Sequence, residues 1–200
     1  KITRVATHIR TLDYFTYGGF NGGNLVILAA RPSVGKTTIA MQIAQAASAD
    51  NNKTLVFSLE MTKKELVQRL LQSTGLVSQY ELVTHDINWD NYEKALGMVV
   101  NSNLIINDDA YNIHDIRHKI ITSVKMQGVK MVLIDYLQLM KGANPMLSKN
   151  DQVGELTSAL KQTAKQCNSP TIVLSQLSRE NVRENRSPQR YDRRDSGRSE

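Results

Sequence analysis

The chain has 200 residues, enough for one domain with a sizeable core, and its 40% hydrophobic and 22% charged residues are ordinary for a globular protein. No run is long and apolar enough to span a membrane as a helix, no signal-peptide pattern opens the chain, and the single cysteine, Cys167, excludes an internal disulfide and fits a reducing compartment. The net charge of +6 favours a polyanionic partner.

In chain order, residues 1–23 read as a short helix or turn followed by a glycine-rich lead-in, with Gly18-Gly19 and Gly22-Gly23 around Phe20. Leu25–Ala29 is the first strand. Beyond it Ile39, Ala40, Ile43, Ala44 and Ala47 are spaced for burial on a helix from about Lys36 to Ser48, which Asp50-Asn51-Asn52 ends. Thr54–Leu59 is the second strand, with Glu60 at its carboxyl end. Thr62-Lys63-Lys64-Glu65 forms a capping box for a helix that Gly75 stops. Residues 76–102 read as helical, with a helix around Trp89–Val100 that places Trp89 and Met98 in the core. Leu104–Ile106 is the third strand, and Asn112 caps a helix that Gly128 closes. Met131–Ile134 is the fourth strand, followed by Asp135. After a polar loop at 141–149, a helix runs from about Asp151 to Cys167. Pro170 introduces the fifth strand, Thr171–Leu174, followed by Ser175-Gln176.

Strands alternate with helices throughout, and most strands are short, wholly apolar runs. That is the pattern of an α/β fold whose mostly parallel sheet is covered by helices on both faces. Ligands bind such sheets at the carboxyl ends of the strands. The polar residues of interest stand at those ends.

The stretch Asn24–Ala40 carries the strongest chemical signal. A strand turns through Arg31, Pro32, Ser33, Val34 and Gly35 into Lys36, Thr37 and Thr38, where a helix opens. This is the plan of a phosphate-binding P-loop, in which open backbone N–H groups and the helix dipole hold a polyphosphate. Lys36 reaches the β- and γ-phosphates, and the Thr37 hydroxyl can ligand Mg²⁺. Ala30 stands where the general pattern has its first glycine. Asp135, after four apolar residues, suits the Walker-B role of holding the Mg²⁺ shell. Glu60 can activate the water that attacks the γ-phosphate, and Gln176 can hydrogen-bond that phosphate. Taken singly, each is equally an ordinary residue at a strand end. His8, His85, His114 and His118 do not cluster at metal spacing. Residues 178–200 lack apolar periodicity. Arg179, Arg183, Arg186, Arg190, Arg193, Arg194 and Arg198 suit phosphate contacts, but Glu180, Glu184, Asp192 and Asp195 dilute the charge, and a solvated segment is the other reading.

AARPSVGKT, FSLEM (Phe57–Met61), IDYLQLM (Ile134–Met140) and LSQLSR (Leu174–Arg179) follow in this order. The set closely resembles the carboxyl-terminal motor domain of DnaB-type replicative helicases from about Thr11 onward, and in that family alanine is usual at the position of Ala30. The resemblance implies a RecA-like P-loop NTPase fold with strands in spatial order three-two-four-five-one. It implies ATP and Mg²⁺ as cofactors, with Lys36 and Thr37 on phosphate and metal, Glu60 as catalytic base, Asp135 beside Mg²⁺ and Gln176 as γ-phosphate sensor. The run Arg194-Asp195-Ser196-Gly197 resembles the family's DNA-binding loop, with aspartate in place of glutamate, which makes Arg194, Asp195 and Gly197 candidates for single-stranded DNA contacts. A homo-hexamer, a helicase loader and primase are the implied partners, and the cytoplasm of a bacterial or phage-infected cell is the implied location.

The chain opens on Lys1 and stops at Glu200 inside a polar segment. The expectation is a single partial domain spanning 1–200, with 1–23 as lead-in, 178–200 as an Arg-rich loop, and later strands and a trans-acting arginine absent. A recombinase-like DNA-dependent ATPase would share the strand-end chemistry. Arg-Pro-Ser in the loop and the Asp-Tyr-Leu-Gln run favour the helicase. A non-catalytic nucleotide- or partner-binding module is opposed by the joint presence of Lys36, Thr37, Glu60 and Asp135.

Overall fold

The computed structural model describes residues 4–142 and 146–177. The lead-in is a small antiparallel ribbon, β1 (Arg4–Val5) with β2 (Phe20–Asn21), closed around helix α1 (Arg10–Phe15). The sequence pattern anticipates the helix but not the ribbon, whose two-residue strands are too short to show alternation. Gly19 (φ 116°) is required there, because a Cβ would run into the Val5 carbonyl oxygen.

Five parallel strands form the sheet: β3 (Leu25–Ala30), β4 (Thr54–Ser58), β5 (Leu104–Asn107), β6 (Met131–Asp135) and β7 (Thr171–Gln176). Their spatial order is β3-β7-β6-β4-β5, the order that the resemblance implies. The fifth of these strands in sequence, β7, therefore sits between the P-loop strand and the Asp135 strand. The central strands β4 and β6 are buried along their whole length, whereas β3 and β5 at the margins are half-buried.

Strand side chains alternate between two cores. Leu55, Phe57, Val132, Ile134 and Val173 pack with Ile113, Ile116 and Ile120 of α6 (Ile113–Gln127) and with Leu156 and Leu160 of α7 (Lys149–Cys167). On the other face, Val56, Met131, Leu133, Ile172 and Leu174 pack with Ala40, Met41, Ile43, Ala44 and Ala47 of α2 (Lys36–Ala49) and with Leu66 and Leu70 of α3 (Lys63–Ser73). Small alanines let α2 lie close to the sheet, which brings its first turn against the strand ends. The remaining helices, α4 (Gln79–Thr84) and α5 (Trp89–Val100), lie outside α3 through Leu71, Val77 and Ala95.

Three expected core residues are not core. Trp89 is 64% and Met98 58% exposed, because α5 turns only Ala95 fully inward and no element among the described residues covers its other faces. Trp89 instead meets the Tyr92 ring edge-on at 5.8 Å. Ile39 is also exposed, and Met41 takes the buried position on α2. The second strand ends at Ser58, so Leu59 and Glu60 lie just beyond it, with the Leu59 amide still donating to the Asp135 carbonyl at 2.7 Å. Helix α7 starts at Lys149, two residues earlier than the sequence pattern places it, because Ser148 caps it by accepting the Asp151 amide.

Candidate functional site

The site is built where α2 meets the carboxyl ends of the sheet. Gly35 takes the N-cap position of α2 in the left-handed region (φ 86°, ψ 23°), and Ser33 shares that conformation (φ 61°). A Cβ on Gly35 would meet nothing within 4 Å, so backbone conformation rather than crowding calls for glycine in the chain itself. No side chain caps α2. Its opening amides are left for a ligand, and an anion suits them.

Thr37 in that first turn donates its hydroxyl to Asp135 Oδ2 at 2.7 Å, which ties the start of α2 to the end of β6. Asp135 is 5% exposed, and its Oδ1 has no hydrogen-bond partner among the described residues. Burial pushes the Asp135 carboxyl above the usual carboxylate range, against the opposing effects of the Thr37 hydrogen bond and of the positive Lys36 and Arg69. Lys36 Nζ sits 4.4 Å from the centroid of the Tyr136 ring, a cation–π contact. Burial lowers the Lys36 ammonium below its ordinary value, although Asp135 and Glu60 favour its charge. The Tyr136 phenol is raised by burial and by the negative Glu60 and Asp135.

A cleft of about 440 Å³ opens above these groups, lined by Arg31, Pro32, Ser33, Gly35, Lys36, Thr37, Thr38, Glu60, Met61, Arg69 and Gln176. The structure thus gathers nearly every expected phosphate-end residue into one place. The exceptions are Val34, which is exposed, and Asp135, which is buried and reaches the cleft only through its hydrogen bond with Thr37. Gln176 has its backbone held from both sides. Gln138 donates to the Gln176 carbonyl at 3.0 Å and to Ser175 Oγ at 3.1 Å, and accepts the Gln176 amide at 3.3 Å. On the other side, the Leu177 amide donates to the Ala30 carbonyl at 3.0 Å. The expected DNA-contact residues Arg194, Asp195 and Gly197 lie outside the described residues.

Three residues at this site are not singled out by sequence reasoning: Tyr136, Gln138 and Arg69. Tyr136 and Gln138 fall inside the IDYLQLM run, one and three positions past Asp135, so position relative to Asp135 is the available signal. Arg69 carries no such signal, because only the packing of α3 beside α2 brings it to the cleft.

The donor set fits a hard divalent cation. Thr37 and Asp135 offer oxygen, and Asp135 Oδ1 is a buried acceptor without a partner. Among the described residues no group of three or more His, Cys, Asp or Glu could hold a metal. A cation here would therefore keep water and substrate oxygens in its shell, the habit of Mg²⁺.

The family model for the DnaB-like helicase C-terminal domain matches residues 4–200. The chain is 37% identical to the replicative DNA helicase DnaB of Geobacillus stearothermophilus over 98% of its own length and 45% of that protein. Among solved structures, a DnaB-like replicative helicase, whose structure also describes its interactions with primase, superposes with a TM-score of 0.87 at 33% identity, covering 96% of this chain and 48% of that one. A separately solved ATPase domain superposes with a TM-score of 0.86, also at 33% identity, covering 96% of this chain and 71% of that one. The chain spans a little under half the length of the curated relative it matches. With its RecA-like α/β fold, the chain belongs to the DnaB-like helicase C-terminal domain family.

Proposed function

We propose that this chain is the ATP-hydrolysing motor domain of a replicative DNA helicase, and that its cleft binds Mg-ATP. One observation carries this reading: Lys36, Thr37, Glu60 and Gln176 line a single cleft, with the Thr37–Asp135 hydrogen bond beneath it. In this reading the α2 amides cradle the phosphates, and Lys36 leaves the Tyr136 ring to neutralise the β- and γ-phosphates. Thr37 and Asp135 hold Mg²⁺, which when bound draws charge from the phosphate oxygens. Glu60 orients a water and accepts its proton as the water oxygen bonds to the γ-phosphorus and the bond to the ADP oxygen breaks. Gln176 senses the γ-phosphate. Its backbone is held by Gln138, so a shift there is passed to the segment that follows β7.

That following segment is the Arg-rich stretch with Arg194, Asp195 and Gly197, which we assign to single-stranded DNA. Movement along DNA in a homo-hexamer, with a loader and primase as partners in the bacterial or phage-infected cytoplasm, completes the reading. No helix among the described residues is long and apolar enough to cross a membrane. The test is ATP turnover by the whole protein with and without single-stranded DNA. Mg²⁺-dependent hydrolysis that DNA accelerates is expected, and an absence of turnover under both conditions would overturn the assignment.

A further inference from the structure

Strand β7 is held differently on its two sides. On the side of the P-loop strand, β3 pairs with it to the end: Leu28 with Leu174, Ala29 with Ser175 and Ala30 with Gln176. On the Asp135 side, the ladder with β6 stops at Ile134 and Val173. Strand β6 runs on to Asp135 beside Ser58 of β4, and the chain then leaves the sheet through a short 3-10 turn, Leu137–Leu139. The end of β7 thus lacks a strand neighbour on that side, at the place where Gln176 lines the phosphate cleft.

The side chain of Gln138 fills this gap. Its Nε2 donates to the Gln176 carbonyl and to Ser175 Oγ, and its Oε1 accepts the Gln176 amide. One primary amide, with two donors and an acceptor, meets all three demands. It satisfies both backbone groups of Gln176, which a continued ladder would otherwise have to pair. Gln138 stands on a fixed base, because Leu137 beside it and Met140 at the end of the turn are buried in the core. Half-buried itself, it is the side-chain link between the Asp135 segment and the end of β7.

We infer that Gln138 is a positioning residue for ATP turnover, acting through Gln176. The inference rests on the proposed role of Gln176 at the γ-phosphate and adds the residue that holds it there. Gln138 lies three positions past Asp135, so one short segment carries both the metal-side carboxylate and the clamp on the sensor. A strand ladder changes register only in whole residues, whereas hydrogen bonds from one rotatable side chain follow a small shift of the strand end. Without Gln138, the Gln176 amide and carbonyl lose these partners, and the end of β7 is held from the β3 side alone. Lys36 and Thr37 stand on α2, away from that loss. The defect therefore falls on kcat and leaves ATP affinity in place.

The test is a double-mutant cycle on the whole protein, with kcat measured at saturating Mg-ATP and single-stranded DNA and ATP affinity measured by titration. Gln176→Ala and Gln138→Leu are each expected to lower kcat by about ten-fold or more, with ATP affinity within about two-fold of the wild type. Because the two residues act as a unit, the double variant is expected to fall within about two-fold of Gln176→Ala alone. Gln138→Glu, which keeps the acceptor and loses the donor, carries the same expectation and serves if Gln138→Leu does not fold, as judged by its melting transition. A folded Gln138 variant that keeps wild-type kcat, or whose loss multiplies with that of Gln176→Ala, would overturn the inference and leave the role of Gln176 standing. Wild-type turnover by Gln176→Ala would overturn both.

Discussion

Helices α3, α4, α5, α6 and α7 each begin on a side chain that accepts a backbone N–H: Thr62, Ser78, Asn88, Asn112 and Ser148. Helix α2 begins on Gly35 and has no such cap. The short α1 also lacks one, but it lies in the lead-in, away from the sheet's carboxyl edge. A cap satisfies otherwise unpaired amides and is worth about 1 kcal/mol. The same chain that caps five helices leaves its innermost one open, beside a buried carboxylate with an unpartnered oxygen. The capped helix starts serve stability. In the proposed reading, the open start gives up that stabilisation to hold a ligand, a common trade at functional sites.

Lys36→Ala is expected to have the largest effect. It removes the cation at the open start and is expected to cut ATP turnover by roughly a thousand-fold or more in a steady-state assay of the whole protein. Near wild-type turnover would mean that the open start is not where ATP reacts. Glu60→Gln keeps the side-chain shape and loses the base. Turnover is expected to fall about a hundred-fold or more while ATP affinity, measured by titration, stays close to that of the wild type.

Stability effects are smaller and go in opposite directions at the two kinds of helix start. Asn112→Ala removes the acceptor of the His114 amide at the start of α6. It is expected to lower the melting temperature by about 2–4 °C, the equivalent of about 1 kcal/mol, and to leave turnover unchanged. Asp135→Asn removes a buried charge from the open site. Because burial raises this carboxyl, the folded chain holds the proton more firmly than the unfolded chain does. The contribution of Asp135 to stability therefore falls as pH rises from the ordinary carboxylate value of 3.8 through the raised folded value, and stays reduced at neutral pH. Asparagine is expected to raise the nucleotide-free melting temperature by up to about 2–4 °C, to flatten that pH dependence, and to abolish the extra stabilisation that Mg-ATP confers. A melting temperature that falls instead would mean that the carboxylate is structural.

Open and capped starts both leave a local mark in the sequence. The capping box Thr62-Lys63-Lys64-Glu65 and the Gly35-Lys36-Thr37 run are legible because a cap and a P-loop are local, set by residues within a few positions of each other. Ser78 and Glu81 form a second capping box with the same local spacing. The parallel sheet is legible because strands buried on both faces must be apolar throughout. Trp89, Met98 and Ile39 were misplaced because apolar periodicity marks a face without showing whether another element covers it. Arg69 reaches the site through the packing of α3 beside α2, which no short pattern encodes, whereas Tyr136 and Gln138 carry only their position relative to Asp135 as a signal.

The uncapped start of α2 is proposed as a phosphate cradle. Its most direct test is an amide-resolved NMR titration of the chain with Mg-ATP. The Gly35, Lys36, Thr37 and Thr38 amides are expected to show the largest shifts, while the first-turn amides of the capped helices α5 and α6 stay in place. Saturable binding that leaves those four amides unmoved and shifts another region would contradict it.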